Sequence, residues 1–94
     1  MKNVQEKDSL SRATVSIYGQ EYVVKGTEPT DYLEKIAAYV DKKMRQISRK
    51  APQLTPAKVA VLAALNIADE YKKLQDDYDA MIKLIEEEKH PRHS

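Results

Sequence analysis

Residues 55–89 form a stretch that has no glycine and no proline after its opening Thr-Pro pair. Threonine is a favourable N-cap residue, and proline at the first helical position has no N–H group that would lack a partner there. We therefore predict a helix that starts at Pro56 and ends before Pro91. Such a helix would be roughly 50 Å long, which is too long to lie across one small domain.

Apolar side chains in this stretch follow one another by alternating steps of three and four residues, the spacing of a left-handed coiled coil. The pattern begins at Ala57, and we predict that its later members form an oligomer interface. We call these residues the seam: Ala60, Ala64, Ile67, Tyr71, Leu74, Tyr78, Met81 and Ile85. A single amphipathic helix on its own core is the alternative, but little chain remains to build that core.

The long helix has two different halves. Residues 59–68 are almost entirely apolar and must be covered on all sides, whereas from Asp69 onward only the seam is apolar. We therefore predict a globular head over residues 12–68 and a coiled-coil stalk over residues 69–89. Asn66 is the lone polar residue of the apolar half, and its amide would bond either to the backbone or across an interface that sets the helix register.

Residues 12–26 have the pattern of a β-hairpin. Apolar and polar residues alternate over residues 12–18, and we predict a type II′ loop of Gly19 and Gln20 after them. This loop predicts three pairs: Ile17 with Tyr22, Val15 with Val24, and Ala13 with Gly26. The pairing places the apolar residues of both strands on one face, which should pack on helices because an isolated hairpin is marginal in water.

The pattern of residues 29–50 predicts a first, amphipathic helix. We expect this helix to end at Ala51 and Pro52. Its apolar stripe consists of Leu33, Ile36, Ala37, Val40, Met44 and Ile47. The predicted fold class is α+β, an N-terminal hairpin followed by two helices (ββαα), of which the second is long and continues into a short stalk. We expect the tails at residues 1–11 and 90–94 to be disordered.

The composition argues against several functional classes. The 16 Lys and Arg residues nearly balance the 15 Asp and Glu residues, so no strong field attracts nucleic acid or an anionic membrane. No apolar run is long enough for a membrane span, and the absence of cysteine suits a reducing compartment, so we expect a soluble cytoplasmic protein. His90 and His93 lie in the predicted tail without rigid surroundings. We therefore predict no catalytic site, no metal site and no cofactor.

The first helix carries the one local excess of basic residues: Lys42, Lys43, Arg45, Arg49 and Lys50. Three interpretations are open: a solvated helix face, a surface for an acidic protein partner, and a nucleic-acid site. The last of these lacks interleaved aromatic residues and a recognition-helix signature.

Two segments of the sequence resemble the ZapA family of bacterial cell-division proteins. They are the hairpin at residues 15–22, Val-Ser-Ile-Tyr-Gly-Gln-Glu-Tyr, and residues 59–71, Val-Ala-Val-Leu-Ala-Ala-Leu-Asn-Ile-Ala-Asp-Glu-Tyr. The resemblance covers roughly residues 14–88, and the Ala-Ala-Leu-Asn-Ile part is its most specific feature.

The resemblance implies a non-enzymatic cytoplasmic protein that binds FtsZ, bundles its protofilaments and promotes Z-ring assembly at the midcell division septum. It also implies a homodimer that can pair into a homotetramer. Gln20 stands where some relatives carry a basic residue after the turn glycine, so that contact does not carry over. The candidates for FtsZ binding, chosen for expected exposure and charge, are Lys42, Arg45, Arg49 and Lys50. A coiled-coil adaptor for another cytoplasmic partner and a small nucleic-acid-binding protein are the alternatives.

Overall fold

The computed structural model describes residues 10–89. It consists of strand β1 (Ser11–Ile17), strand β2 (Gln20–Gly26), helix α1 (Thr30–Lys50) and helix α2 (Pro56–Lys89). The predicted ββαα order, with a long second helix, is confirmed. The expectation of disorder at residues 1–9 and 90–94 lies outside the described residues, and β1 begins at Ser11, one residue before its predicted start.

The hairpin register differs from the predicted one. The loop consists of Tyr18 and Gly19, with φ angles of 51° and 82°, so both central residues are left-handed as a type I′ turn requires. The observed pairs are Ile17 with Gln20, Val15 with Tyr22, and Ala13 with Val24. The predicted Gly19-Gln20 loop is therefore wrong by one residue, and the predicted partners on β2 are wrong by two. A shift of two keeps every side chain on its face, so the apolar alternation could not reveal the error.

Contacts with α1 explain why a tyrosine occupies the left-handed region. This conformation costs a residue with a Cβ atom roughly 1–2 kcal/mol. The Tyr18 backbone N–H donates to Asp41 Oδ1 at 2.7 Å, and the Tyr18 hydroxyl donates to Ser48 Oγ at 2.9 Å. Because both bonds join the turn to a distant helix, tertiary structure selects the turn type here.

The apolar core consists of two clusters along α1. Ala13, Val15 and Ala37 form the first between the hairpin and the start of α1, and Val24 and Leu33 pack against it. Leu33 also explains why the last residue of β2 is a glycine, because its Cδ2 atom would lie 3.2 Å from a Cβ atom added at Gly26. Glycine at that position therefore lets α1 approach the hairpin closely.

The second cluster attaches the first two turns of α2 to α1. Met44, Val59 and Ala63 are buried in it, and the surrounding side chains are Ile17, Tyr18, Val40, Ile47 and Leu54. The predicted N-cap is confirmed, since the Lys58 N–H donates to Thr55 Oγ1 at 3.3 Å and the Val59 N–H donates to the Thr55 carbonyl at 2.9 Å. The Thr-Pro signal thus marks the point where α2 enters the core.

The chain divides into two compact units, Met1–Ala63 and Ala64–Ser94. Both clusters belong to the first unit. In the second unit no residue of positions 64–88 is buried. The predicted boundary between a head and a stalk after residue 68 stays a prediction.

Candidate interaction surfaces

Three of the four predicted partner-binding residues share one face of α1. Lys42, Arg45 and Arg49 are exposed and lie within about 60° of one another around the helix. We call these three residues the basic face. Lys50 is also exposed but lies roughly 100° from Arg49, so the structure does not bring it together with the others. Lys43 belongs to another side of α1, where its Nζ lies 5.4 Å from the centre of the Tyr39 ring.

Arg45 forms an ion pair with Asp41, one turn earlier on α1. Arg45 Nε lies 3.1 Å from Oδ1 and 3.0 Å from Oδ2 of the carboxylate. The Tyr18 backbone N–H and then the Arg45 side chain hold the pKa of Asp41 below its ordinary value, because both stabilise the ionised carboxylate. The hairpin turn, Asp41 and the basic face are therefore connected by hydrogen bonds.

The lowered pKa of Asp41 predicts a contribution to acid unfolding. The folded state favours the ionised carboxylate, so Asp41 adds stability above its unfolded pKa of about 3.8, and that stability is lost as pH falls through the lower folded pKa. Wild type should therefore be more stable than Asp41→Asn at pH 7, and the difference should shrink below about pH 4. Urea unfolding from pH 7 to pH 2 checks this. Asp79→Asn, at an exposed position of α2, controls for loss of charge, and a pH-independent difference would contradict the prediction.

The seam is uncovered in the single chain. Ile67 is half-buried, and the other seven seam residues are exposed, with 69% of Leu74 accessible to solvent. Asn66 is exposed as well, and its two predicted bonds stay predictions. Isolated apolar side chains on a surface are ordinary, but a continuous apolar face along several turns is typical of a protein interface.

A shallow apolar hollow of about 350 Å³ lies within the seam. Leu74, Tyr78, Met81 and Ile85 line it together with Ile82 and Asp77, two residues that the heptad pattern did not include. The sequence feature that could have placed Ile82 on this face was its apolar side chain directly after Met81. Its addition widens the apolar face beyond the narrow stripe of a two-stranded coiled coil, as is typical of helices in larger bundles.

Ion pairs occupy the solvated side of α2. Lys73 Nζ lies 3.1 Å from Asp69 Oδ2, and Lys72 Nζ lies 3.5 Å from Asp76 Oδ1, each across one helical turn. All four side chains are more than half exposed, so each pair contributes at most a few tenths of a kcal/mol. The charges keep this side of the helix solvated while the seam stays apolar.

The described residues contain no group of three or more His, Cys, Asp or Glu side chains that could hold a metal ion. His90 and His93 lie outside the described part of the chain. Within residues 10–89, neither helix has the length and hydropathy that crossing a membrane requires.

Comparisons with known proteins agree with the resemblance seen in the sequence. The family model for cell division protein ZapA matches residues 13–90. A cell division protein ZapA of Geobacillus sp. (strain WCH70) is 46% identical over 79 residues, which cover 84% of this chain and 91% of that protein. One from Bacillus mycoides (strain KBAB4) is 42% identical over 77 residues, covering 82% and 86%.

A solved structure supports the same relationship at the level of the fold. A ZapA mutant dimer from Geobacillus stearothermophilus matches with a TM-score of 0.67 and 40% sequence identity, covering 82% of this chain and 90% of that one. The sequence match and the shared arrangement of hairpin and helices together show that this chain belongs to the ZapA family of cell division proteins.

Proposed function

We propose that this chain is a non-enzymatic cytoplasmic protein that binds FtsZ at midcell and crosslinks its protofilaments, which promotes assembly of the division ring. The observation that carries the proposal is the uncovered seam of α2, since a crosslinker must join at least two copies of itself. Membership of the ZapA family supplies the biological setting, cell division.

The proposed assembly is a homodimer that can pair into a tetramer. The exposed seam and the additional Ile82 give α2 an apolar face that a second helix, or several, would cover. A mutant of the related protein from Geobacillus stearothermophilus is described as a dimer. In this proposal residues 12–68 form a head that binds FtsZ, and residues 69–89 form a stalk.

Crosslinking follows from this assembly without any catalytic chemistry. Each copy contributes one FtsZ-binding surface, so an oligomer offers at least two surfaces at a fixed separation. Once one surface is bound, the other encounters neighbouring protofilaments at a high effective concentration, so weak single contacts can give tight overall binding.

The basic face of α1, with Lys50 beside it, is the proposed contact with FtsZ. Its three side chains are exposed and positively charged on one side of a well-packed helix, so they suit an acidic protein surface. Such contacts at the rim of an interface steer association and fix its orientation more than they add affinity. The binding should therefore weaken as salt concentration rises.

Co-sedimentation with GTP-polymerised FtsZ, with light scattering recorded in parallel, tests the proposal. Pelleting of the chain with increased scattering is the expected result, because the first reports binding and the second reports bundling. A confirmed oligomer that does not pellet with FtsZ would contradict the proposal and favour an adaptor for another partner. Salt-dependent retention on DNA would instead favour a nucleic-acid-binding function.

Reversing charge on the basic face should weaken FtsZ binding. The variant Lys42→Glu/Arg49→Glu is expected to raise the Kd about tenfold, because two rim contacts are lost and two repulsive ones are created. The control Lys58→Glu/Lys83→Glu has the same change in net charge at exposed positions of α2. Equal binding by the two variants in co-sedimentation at fixed salt would show that the basic face is only a solvated surface.

A further inference from the structure

The carboxylate of Asp41 receives hydrogen bonds from two different parts of the fold. The Tyr18 backbone N–H donates to its Oδ1 atom at 2.7 Å, across 23 residues of sequence. Arg45 Nε donates to both oxygens, at 3.1 and 3.0 Å. One side chain of α1 therefore connects the hairpin turn to a member of the basic face.

The geometry fixes the position of Asp41 more firmly than that of an ordinary surface acid. Its first partner is a main-chain group, which the adjoining Ile17–Gln20 pair of the hairpin holds in place. Its side chain is 25% exposed, against 52% for Arg45. Hydrogen bonds between a charged group and a main-chain N–H are among the stronger ones in proteins, so the carboxylate is a suitable anchor for a longer, mobile side chain.

The bonds to Asp41 leave most of the Arg45 guanidinium for another acceptor. Both use Nε, which carries one of the five N–H donors of arginine. The two Nη groups carry the other four, arranged as a planar fork that matches a carboxylate. An arginine that is already ordered loses less conformational freedom when a partner binds the fork.

We propose that Asp41 is a positioning residue for partner recognition, holding Arg45 with its Nη groups available to an acidic group of FtsZ. The inference rests on the proposed function. Asp41 acts through Arg45 and does not itself touch the partner. A negative charge beside the basic face also repels an acidic partner, so the proposal requires that ordering of Arg45 outweighs this repulsion.

A double-mutant cycle in FtsZ co-sedimentation tests whether the ordering of Arg45 by Asp41 outweighs the repulsion between Asp41 and the partner. Asp41→Asn should raise the Kd about threefold when Arg45 is present, and in an Arg45→Gln background it should not raise the Kd, because only the repulsion by Asp41 is then removed. A purely structural role would give the same loss in both backgrounds, and repulsion as the main effect would make Asp41→Asn bind more tightly. Either result would overturn the proposal.

A second measurement needs neither FtsZ nor a folded Asp41 variant. In the ¹⁵N-labelled wild-type protein, hydrogen exchange at Arg45 Nε–H should be about tenfold slower than at Arg49 Nε–H, because Asp41 holds the first proton. The Arg45→Gln variant identifies the signal. Equal exchange rates would overturn the positioning role even if wild type pellets with FtsZ. Slow exchange at Arg45 in a protein that does not pellet would reject the proposed function and leave the arrangement of Asp41 and Arg45 standing.

Discussion

Replacing Leu74 with glutamate is expected to weaken self-association of the chain by about 100-fold or more. Leu74 lies in the seam, lines the apolar hollow of α2 and is 69% exposed in the single chain. A partner helix that covers it would take the new carboxylate out of water next to apolar side chains, at a cost of several kcal/mol. About 3 kcal/mol corresponds to a 100-fold change in an association constant.

Sedimentation velocity over a range of concentrations measures this effect. Ala80→Glu is the matched control, because it adds the same charge at an exposed position roughly 120° around the helix from Leu74. The control should sediment like wild type, while Leu74→Glu should shift to smaller species. If both variants keep the wild-type oligomer, the seam is not the self-association surface.

The same variant separates binding from bundling. Since Leu74 and the basic face belong to different helices, a Leu74→Glu chain should keep the proposed contact with FtsZ and lose the proposed contact with a second copy. It should therefore raise light scattering of FtsZ polymers less than wild type does, even at concentrations where equal amounts pellet. Avidity also falls with the number of joined contacts, so a higher concentration should be needed to reach equal pelleting.

Local signals in the sequence predict the helices of this chain well. Thr55 caps α2 as its position before Pro56 predicts, because a helix start depends on the few residues around it. The step of three and four residues that defines the seam reports only which side chains share a face. It cannot report what covers that face, and the single chain leaves the seam exposed.

The type and register of the hairpin turn could not be predicted from such local signals. Gly19 is compatible with either a type I′ or a type II′ turn, and both registers place the same apolar residues on one face. The contacts of Tyr18 with Asp41 and Ser48 distinguish the two, and they span 23 and 30 residues of sequence. A prediction from neighbouring residues alone contains neither contact.

In the candidate binding surface, too, local spacing predicts some features and tertiary packing determines the others. Helical spacing predicts that Lys42, Arg45 and Arg49 share a face, and the structure shows that all three are exposed. The pairing of Asp41 with Arg45 was visible as an i, i+4 spacing of opposite charges. Its connection to the turn was not, because that connection depends on how the hairpin packs on α1.

Shortening Val59 to alanine is expected to reduce the free energy of unfolding by about 2–3 kcal/mol. Val59 is 0% exposed and lies with Met44 and Ala63 in the cluster that attaches α2 to α1. Two buried carbon atoms are lost at about 0.8 kcal/mol each, and the cavity left behind adds to this because close-packed neighbours relax only in part. That is a large fraction of the 5–15 kcal/mol that stabilises a typical domain.

Val61→Ala provides a matched comparison on the same helix. It makes the same chemical change two residues away, at a side chain that is 60% exposed, and the two variants gain the same helix propensity. Urea unfolding at two concentrations tenfold apart should show a concentration-independent loss for Val59→Ala that exceeds the loss for Val61→Ala. Any part of either loss that shrinks on dilution belongs to self-association, since binding a second copy stabilises the folded state by mass action only where the oligomer is populated. Equal, concentration-independent losses in the two variants would mean that Val59 does not anchor α2 to the core.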